Sequence, residues 1–220
     1  MTKDIIFDYV TDYLNNTLGS SDEFLSELEK YADENHVPIV TKDTAWFLRS
    51  IMAMQKPKEI LEIGTAIGYS AILFAKHSDA NIITLEKNSD MAKIAEENIE
   101  KAGLSDRITV LEGDAMESIK CIEGGNFDFV FLDANKSHYK DYLPEILERL
   151  DYGGVIVSDN ILYKGMVAND ELVTKRQKTI VKNLREYLNI LTNHDELVTS
   201  IIPIGDGVAL SVRKDKTNDK

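Results

Sequence analysis

Asp133 in the segment FLDANK and the neighbours Asp159 and Asn160 in VIVSDN are the residues whose types and spacing first suggest chemistry. Each segment opens with a run of branched or aromatic apolar residues, Phe127–Leu132 and Val155–Val157, of the kind that forms a buried strand. Ligands of open parallel sheets bind in the crevice beyond the carboxyl ends of the strands, so two such ends bring three oxygen side chains to one point. Two carboxylates and one amide oxygen form a hard donor set suited to Mg²⁺ or Ca²⁺, with positions left for water and a further ligand. The plainer alternative is that Asp133 and Asp159 only cap the helices that follow them.

A second group reads as a ligand loop. Ile60–Ser70 (ILEIGTAIGYS) has the pattern strand, loop, helix; Gly64 and Gly68 let the backbone pass close to a ligand, and the helix opening at Tyr69-Ser70 offers free N–H groups. It is not GxGxxG, because Ala66 stands where the second glycine would let a pyrophosphate approach. Glu62 beside the loop suits a cation better than a diphosphate. Glu86 ends the next strand about 20 residues on, where an acid can accept both ribose hydroxyls. Gly113-Asp114-Ala115 follow the third strand and are placed to border an adenine ring. An adenosine bearing an amino-acid group instead of a diphosphate fits the set, which means S-adenosylmethionine (SAM). Taken singly, the glycines read equally as a plain βα turn, and Glu86 as a charge at a helix N-terminus.

The elements that must position these residues are legible from periodicity. Strands are expected at Glu59–Ile63, Ile82–Glu86, Ile108–Glu112, Phe127–Leu132 and Val155–Ser158, with helices at Tyr69–Lys76, Ser89–Ala102, Tyr139–Leu150 and Lys175–Tyr187. That alternation implies right-handed βαβ units and a doubly wound, mostly parallel α/β sheet. Leu197–Ile202 and Val208–Arg213 flank a Gly205-Asp206-Gly207 turn and read as a closing hairpin. Before the first strand, Ile5/Ile6/Tyr9/Val10/Tyr13/Leu14, Phe24/Leu25/Leu28 and Trp46/Phe47/Ile51/Met54 recur near helical spacing, with Ser21 and Thr41 as expected N-caps and Trp46 as a core residue. The organisation expected is N-terminal helices over 1–55 within the same domain, a core over 56–213 and a disordered tail over 214–220.

The 220 residues, 43% hydrophobic, suffice for one α/β core. No segment is apolar for the length of a membrane span, and the N-terminus lacks the basic start and apolar run of a signal peptide. The single cysteine, Cys121, excludes an internal disulfide and suits the cytoplasm. An excess of 38 acidic over 25 basic residues argues against nonspecific nucleic-acid binding by the chain as a whole. The stretch carrying Lys164, Lys175, Arg176, Lys178, Lys182 and Arg185 is locally basic, either a phosphate-contacting face or an ordinary solvated helix.

ILEIGTAIGYSA, ITLEKN, FVFLDANKSHY, GGVIVSDNILYKGMV and IPIGDGVALSVRK together resemble the cation-dependent O-methyltransferases of the caffeoyl-CoA and catechol type, from about residue 38 to 213. The resemblance implies a Rossmann-like class I methyltransferase fold with a seven-stranded sheet. It maps Asp133, Asp159 and Asn160 onto the metal ligands and Lys136 onto the lysine assigned as general base. It maps Glu62, Gly64, Ser70, Glu86, Ala115 and Asp133 onto cofactor contacts, and Val40 onto the segment closing over the methionine part. The resemblance also implies a homodimer, with the N-terminal helices available for the acceptor pocket and the contact. Within the family the chain is similar to the bacterial branch that methylates 5-hydroxyuridine at the tRNA wobble position; the alternative acceptor is a small catechol or phenylpropanoid.

Both acceptors present a hydroxyl next to a second chelating oxygen, and both need Mg²⁺ or another divalent cation to ionise and orient that hydroxyl. His138 reads as a cap or surface residue; Tyr139, Tyr142 and Tyr163 read as packing or as a stack on the acceptor ring. A nicotinamide dehydrogenase is disfavoured by the missing GxGxxG and by the hairpin. A noncatalytic adenosine-binding module is disfavoured by the metal set and Lys136.

Overall fold

The computed structural model describes residues 6–122 and 125–215. Its seven strands form one sheet in the order β3-β2-β1-β4-β5-β7-β6. They are β1 (Glu59–Ile63), β2 (Asn81–Glu86), β3 (Ile108–Glu112), β4 (Phe127–Leu132), β5 (Leu150–Ser158), β6 (Leu197–Ile202) and β7 (Val208–Arg213). Two compact units make up the chain, one over Tyr9–Ile122 and the other holding 125–215 and the first described residues, up to Asp8.

In the first unit, β1 pairs in parallel with β2, and β2 with β3. Helices α1 (Asp8–Thr17), α2 (Glu23–Asn35) and α3 (Lys42–Gln55) precede the strands; α4 (Tyr69–His77), α5 (Ser89–Lys101) and α6 (Ala115–Cys121) follow them one by one. Helix α4 is buried from Tyr69 through Ala75, as befits a helix apolar on every side. By contrast α1 buries none of its residues; Tyr9 and Tyr13 stand 70% and 67% exposed. Ile5 lies outside the described residues. The N-cap of α2 is Asp22, whose carboxylate accepts from Leu25 N, rather than Ser21 one residue earlier. Thr41 does occupy the N-cap of α3, but its hydroxyl bonds Asp43 and Thr44 side chains instead of the helix backbone. Trp46 is half-buried under the Arg49 guanidinium, 4.6 Å from the ring centre, not in the core.

In the second unit, β4 and β5 are parallel, and β7 pairs antiparallel with both β5 and β6. The register of β4 on β5 jumps between Phe127↔Leu150 and Phe129↔Val155. Residues Asp151–Gly154 bulge out there, and Gly154 is needed because a Cβ would lie 2.7 Å from Asp151 O. This makes β5 longer than its apolar half, Val155–Ser158. Helix α7 (Tyr139–Arg149) follows β4, and α8 (Lys178–Asn193) follows β5 after a long loop. Helix α8 starts three residues later and ends six later than its basic and apolar pattern suggests, burying Leu188 and Leu191. Lys214, the first residue of the expected tail, continues the edge through Lys214 N→Glu196 O at 2.8 Å; 216–220 lie outside the described residues.

Candidate active site

The loop after β1 is held from several directions within the first unit. Glu86, at the end of β2, accepts from Thr65 N (3.3 Å) and Ala66 N (2.9 Å) on one carboxylate oxygen, and from Asn88 N on the other. Glu62 is fully buried and accepts from Thr84 Oγ1 at 2.6 Å, while Thr84 shares a hydrogen bond of 2.5 Å with Thr65 Oγ1. Asn98 on α5 donates to Ile67 O at 3.0 Å. Gly64 has φ 104°. Gly68 has φ 82° and a Cβ there would lie 3.3 Å from Ala95 Cβ, so α5 itself occupies the space this glycine leaves. Its absence of a side chain serves the left-handed turn and close helix packing rather than ligand approach. Ser70 is buried in the first turn of α4, whose leading N–H groups lack helical acceptors, and Val40 is buried just before α3.

After β3, Gly113 (φ 155°) leads into Asp114, whose carboxylate is already engaged: it caps α6 through Met116 N (3.1 Å) and pairs with Lys87 Nζ at 2.9 Å. Ala115 opens α6. An adenosine with an amino-acid tail fits the chemistry of this set. Glu86 offers an acceptor carboxylate, Glu62 a buried carboxyl group beside the loop, and the first turn of α4 offers backbone N–H donors.

The acidic cluster lies within the second unit. Leu132 and Ser158 are opposite one another in the β4/β5 register, which puts Asp133 and Asp159 one step beyond, side by side. Asp159 N donates to Leu132 O at 2.9 Å, and Tyr139 OH lies 3.1 Å from Leu132 O and 3.2 Å from Asp159 O, tying the two strand ends together. Tyr139 is fully buried and edge-on to Tyr187, 5.5 Å between centroids, so it belongs to the core and not to an acceptor stack. Tyr142 is buried as well. Asp159 is 2% exposed, and burial first, then the charge of Asp133, pushes its carboxyl up to about 7. Lys136 donates to Asp133 Oδ1 at 2.7 Å and partly offsets that charge. A buried carboxyl facing a second, half-buried carboxylate is costly, and Lys136 pairs with only one of the two, so this set fits a divalent cation. Neither aspartate caps a helix by its side chain: Asn135 caps the short turn after Asp133 by accepting from Ser137 N, and Asp159 accepts from Asn160 N–H at 2.7 Å. Among the described residues no group of three or more His, Cys, Asp or Glu is arranged around a metal, in keeping with a set of two acids and one amide.

Asn160 adopts φ 56° and begins a loop in which Tyr163 and Lys164 are also left-handed. The turn of the closing hairpin pins that loop: Ile161 N→Gly207 O (2.9 Å), Leu162 N→Asp206 O (3.0 Å) and Lys164 N→Asp206 Oδ1 (2.6 Å). Gly207 is required, since a Cβ would lie 2.5 Å from Leu162 Cγ. In the sequence Gly205-Asp206-Gly207 reads as a turn alone, and Thr65, Thr84 and Asn98 do not stand out from their neighbours. The one available signal was a polar residue on the buried face of α5. His138 is exposed and 3.2 Å from Asp141, as a surface residue.

The basic stretch is partly self-neutralised. Arg185 pairs with Asp170 at 2.7 Å and donates to Val167 O and Met166 O; Lys182 lies 3.6 Å from Glu186. Lys178, Lys182 and Arg185 share a cavity of about 580 Å³ with Asp170, Val173, Val181 and Glu186. Lys164, Lys175 and Arg176 are exposed in the loop before α8. No helix among the described residues is long and apolar enough to cross a membrane.

Residues 16–214 match the family described as O-methyltransferase. A catechol O-methyltransferase of Niastella koreensis is 31% identical over 218 residues, 95% of this chain and 98% of that protein. A caffeoyl-CoA O-methyltransferase of Populus kitakamiensis is 31% identical over 79% of this chain and 77% of its own length. Among solved structures, the O-methyltransferase from Bacillus cereus in complex with SAH superposes with a TM-score of 0.82 at 29% identity, covering 94% of this chain and 97% of that one.

Proposed function

The chain belongs to the SAM-dependent O-methyltransferase family, of the catechol and caffeoyl-CoA type, and from that premise we propose that it transfers the methyl group of SAM, with Mg²⁺ or a similar divalent cation, to one hydroxyl of a vicinal pair on a small catechol-like acceptor. The observation that carries this reading is the register of Leu132 opposite Ser158, which sets Asp133 beside the buried Asp159. Asp133, Asp159 and Asn160 would hold the cation, which when bound lowers the pKa of a chelated hydroxyl. Glu86 accepts the ribose hydroxyls, and the buried carboxylate of Glu62 supports the positive end of the cofactor. Lys136, whose Nζ is hydrogen-bonded to Asp133, would act as base in its free-amine form: it first gives a proton to solvent and then takes the acceptor's proton on the freed Nζ lone pair. Holding both reactants converts a bimolecular displacement into an effectively unimolecular one.

The wobble 5-hydroxyuridine of tRNA carries the same vicinal oxygens and remains the second acceptor. The partial neutralisation of Arg185 and Lys182 by Asp170 and Glu186 weakens its electrostatic support, and the curated relatives are named for small acceptors. A reducing, cytoplasmic setting suits the exposed thiol of Cys121. Purified protein with labelled SAM, Mg²⁺ and either a catechol or hydroxyuridine-bearing tRNA decides the matter. Rapid labelling of the catechol supports the first reading; labelling of tRNA alone overturns it. In that case Lys178→Glu with Lys182→Glu would lower turnover on tRNA and leave SAM binding intact.

A further inference from the structure

Helix α4 begins with Tyr69, directly after the loop that ends at Gly68 and directly before Ser70. Tyr69 is 2% exposed, and its hydroxyl donates to Glu29 Oε1 on α2 at 2.7 Å. The same oxygen accepts from Ser21 Oγ at 2.5 Å, and Ser21 Oγ accepts from Arg49 Nη2 at 3.0 Å. Every proton in this chain points one way, from the guanidinium on α3 through a hydroxyl to a carboxylate, with Tyr69 delivering the second bond. At the other end of α4, Lys76 pairs with Asp22 at 3.0 Å, so the helix is moored twice to one stretch, Ser21 to Glu29. Burial first, then the Glu29 carboxylate, holds the Tyr69 phenol far above its usual range, so it remains a donor at any working pH.

The cluster is expensive for a fold that needed only stability. Arg49 is 9% exposed, its Nε and the neighbouring Trp46 Nε1 are buried without a hydrogen-bond partner, and apolar side chains would fill such a site at lower cost. None of these groups is among the residues assigned above to cofactor, cation or acceptor. What they touch is the first turn of α4, where the orientation of N–H groups decides how a ligand at the loop is held.

We propose that Arg49, Ser21, Glu29 and Tyr69 are positioning residues through which helices α2 and α3 set the start of α4 for SAM, so that order in the N-terminal helices and cofactor affinity are coupled. Such coupling is reciprocal: cofactor binding must stabilise α2 by the same factor that an ordered α2 improves binding. The inference concerns the cofactor alone and stands whichever acceptor or cation the enzyme uses.

Calorimetric titration of the full chain with SAH tests it without acceptor or metal. Tyr69→Phe and Glu29→Leu should each weaken SAH about 5- to 20-fold, a part of the worth of one hydrogen bond to a carboxylate, since the rest falls on the fold itself. The double variant should be little weaker than either single, as members of one network. Glu29→Gln keeps an acceptor oxygen for both hydroxyls and should recover most of the affinity. At saturating SAM, kcat should stay within about twofold of the parent enzyme, the mark of lost ground-state binding rather than lost chemistry. Amide exchange over Glu23–Asn35 should slow when SAH binds the parent protein and not when it binds Tyr69→Phe. If Tyr69→Phe melts earlier yet binds SAH as tightly as the parent, the network is a structural brace only and the proposal fails. If both variants fail to fold, Ser21→Ala severs Arg49 from Glu29 alone; weakened SAH binding supports the proposal and parental affinity overturns it.

Discussion

Replacing Asp159 by Asn should make the metal-free protein more stable while removing its metal-dependent turnover. Asp159 is 2% exposed, and burial together with the facing charge of Asp133 raises its carboxyl from 3.8 to about 7. An acid whose pKa is higher in the folded than in the unfolded state opposes folding once it ionises. Stability is therefore lost as pH climbs from about 4 to about 7 and the loss is complete above that window. The displacement corresponds to on the order of 4 kcal/mol, an upper bound because the strand ends can relax. Asn keeps the oxygen that accepts Asn160 N–H at 2.7 Å and discards the charge. The assay is urea unfolding of EDTA-treated parent and variant at pH 8 and again at pH 4. The variant should gain up to about 4 kcal/mol at pH 8 and nothing at pH 4, where the native carboxyl is already protonated. Adding Mg²⁺ should stabilise the parent at pH 8 and leave the variant unmoved, since only the parent has a second carboxylate to offer. A variant less stable than the parent at pH 8 in EDTA would refute the reasoning, because Asp159 would then not be a penalised charge awaiting a cation.

Tyr139→Phe removes the hydroxyl that spans Leu132 O and Asp159 O and should weaken Mg²⁺ or Mn²⁺ binding about fivefold by calorimetry, leaving SAH affinity unchanged. Glu86→Gln should raise the dissociation constant for SAH by about tenfold or more, since charge-assisted bonds to the ribose are lost, with no effect on cation affinity. Asn98→Leu frees Ile67 O in the glycine loop, so SAH binding should fall severalfold while the far-ultraviolet spectrum of the helices stays the same. Gly207→Ala must displace Leu162 and so the loop after Asn160; turnover should drop more steeply than SAH binding in paired kinetic and binding assays.

The sheet was readable because each strand is a compact apolar run and each crossover has its own helix. Strands β1, β3 and β4 and both arms of the hairpin fall where the pattern puts them. The errors have local causes. Asp151–Gly154 falls between the expected helix and strand and is instead a bulge inside β5, set by pairing with β4. The expected helix spans Lys175–Tyr187, whereas α8 begins at Lys178, and its later apolar positions carry it to Asn193. The seven-residue α6 was not anticipated, since its length gives too little periodicity to detect.

At the site, acid and amide side chains were legible through their place at strand ends. Their supports were not: Thr84, Asn98, Tyr139 and Asp206 act through contacts between residues distant in sequence, which no local pattern encodes. The basic face looked stronger in sequence than in the fold, because Asp170 and Glu186 turn out to face Arg185 and Lys182.

Cation dependence of methyl transfer is the most direct test of the whole account. With labelled SAM and a catechol acceptor, dialysed protein should be inactive in EDTA and regain full turnover as Mg²⁺ is added, with Asp133→Ala and Asp159→Ala silent throughout. Undiminished methylation in excess EDTA, or by either alanine variant, would contradict it.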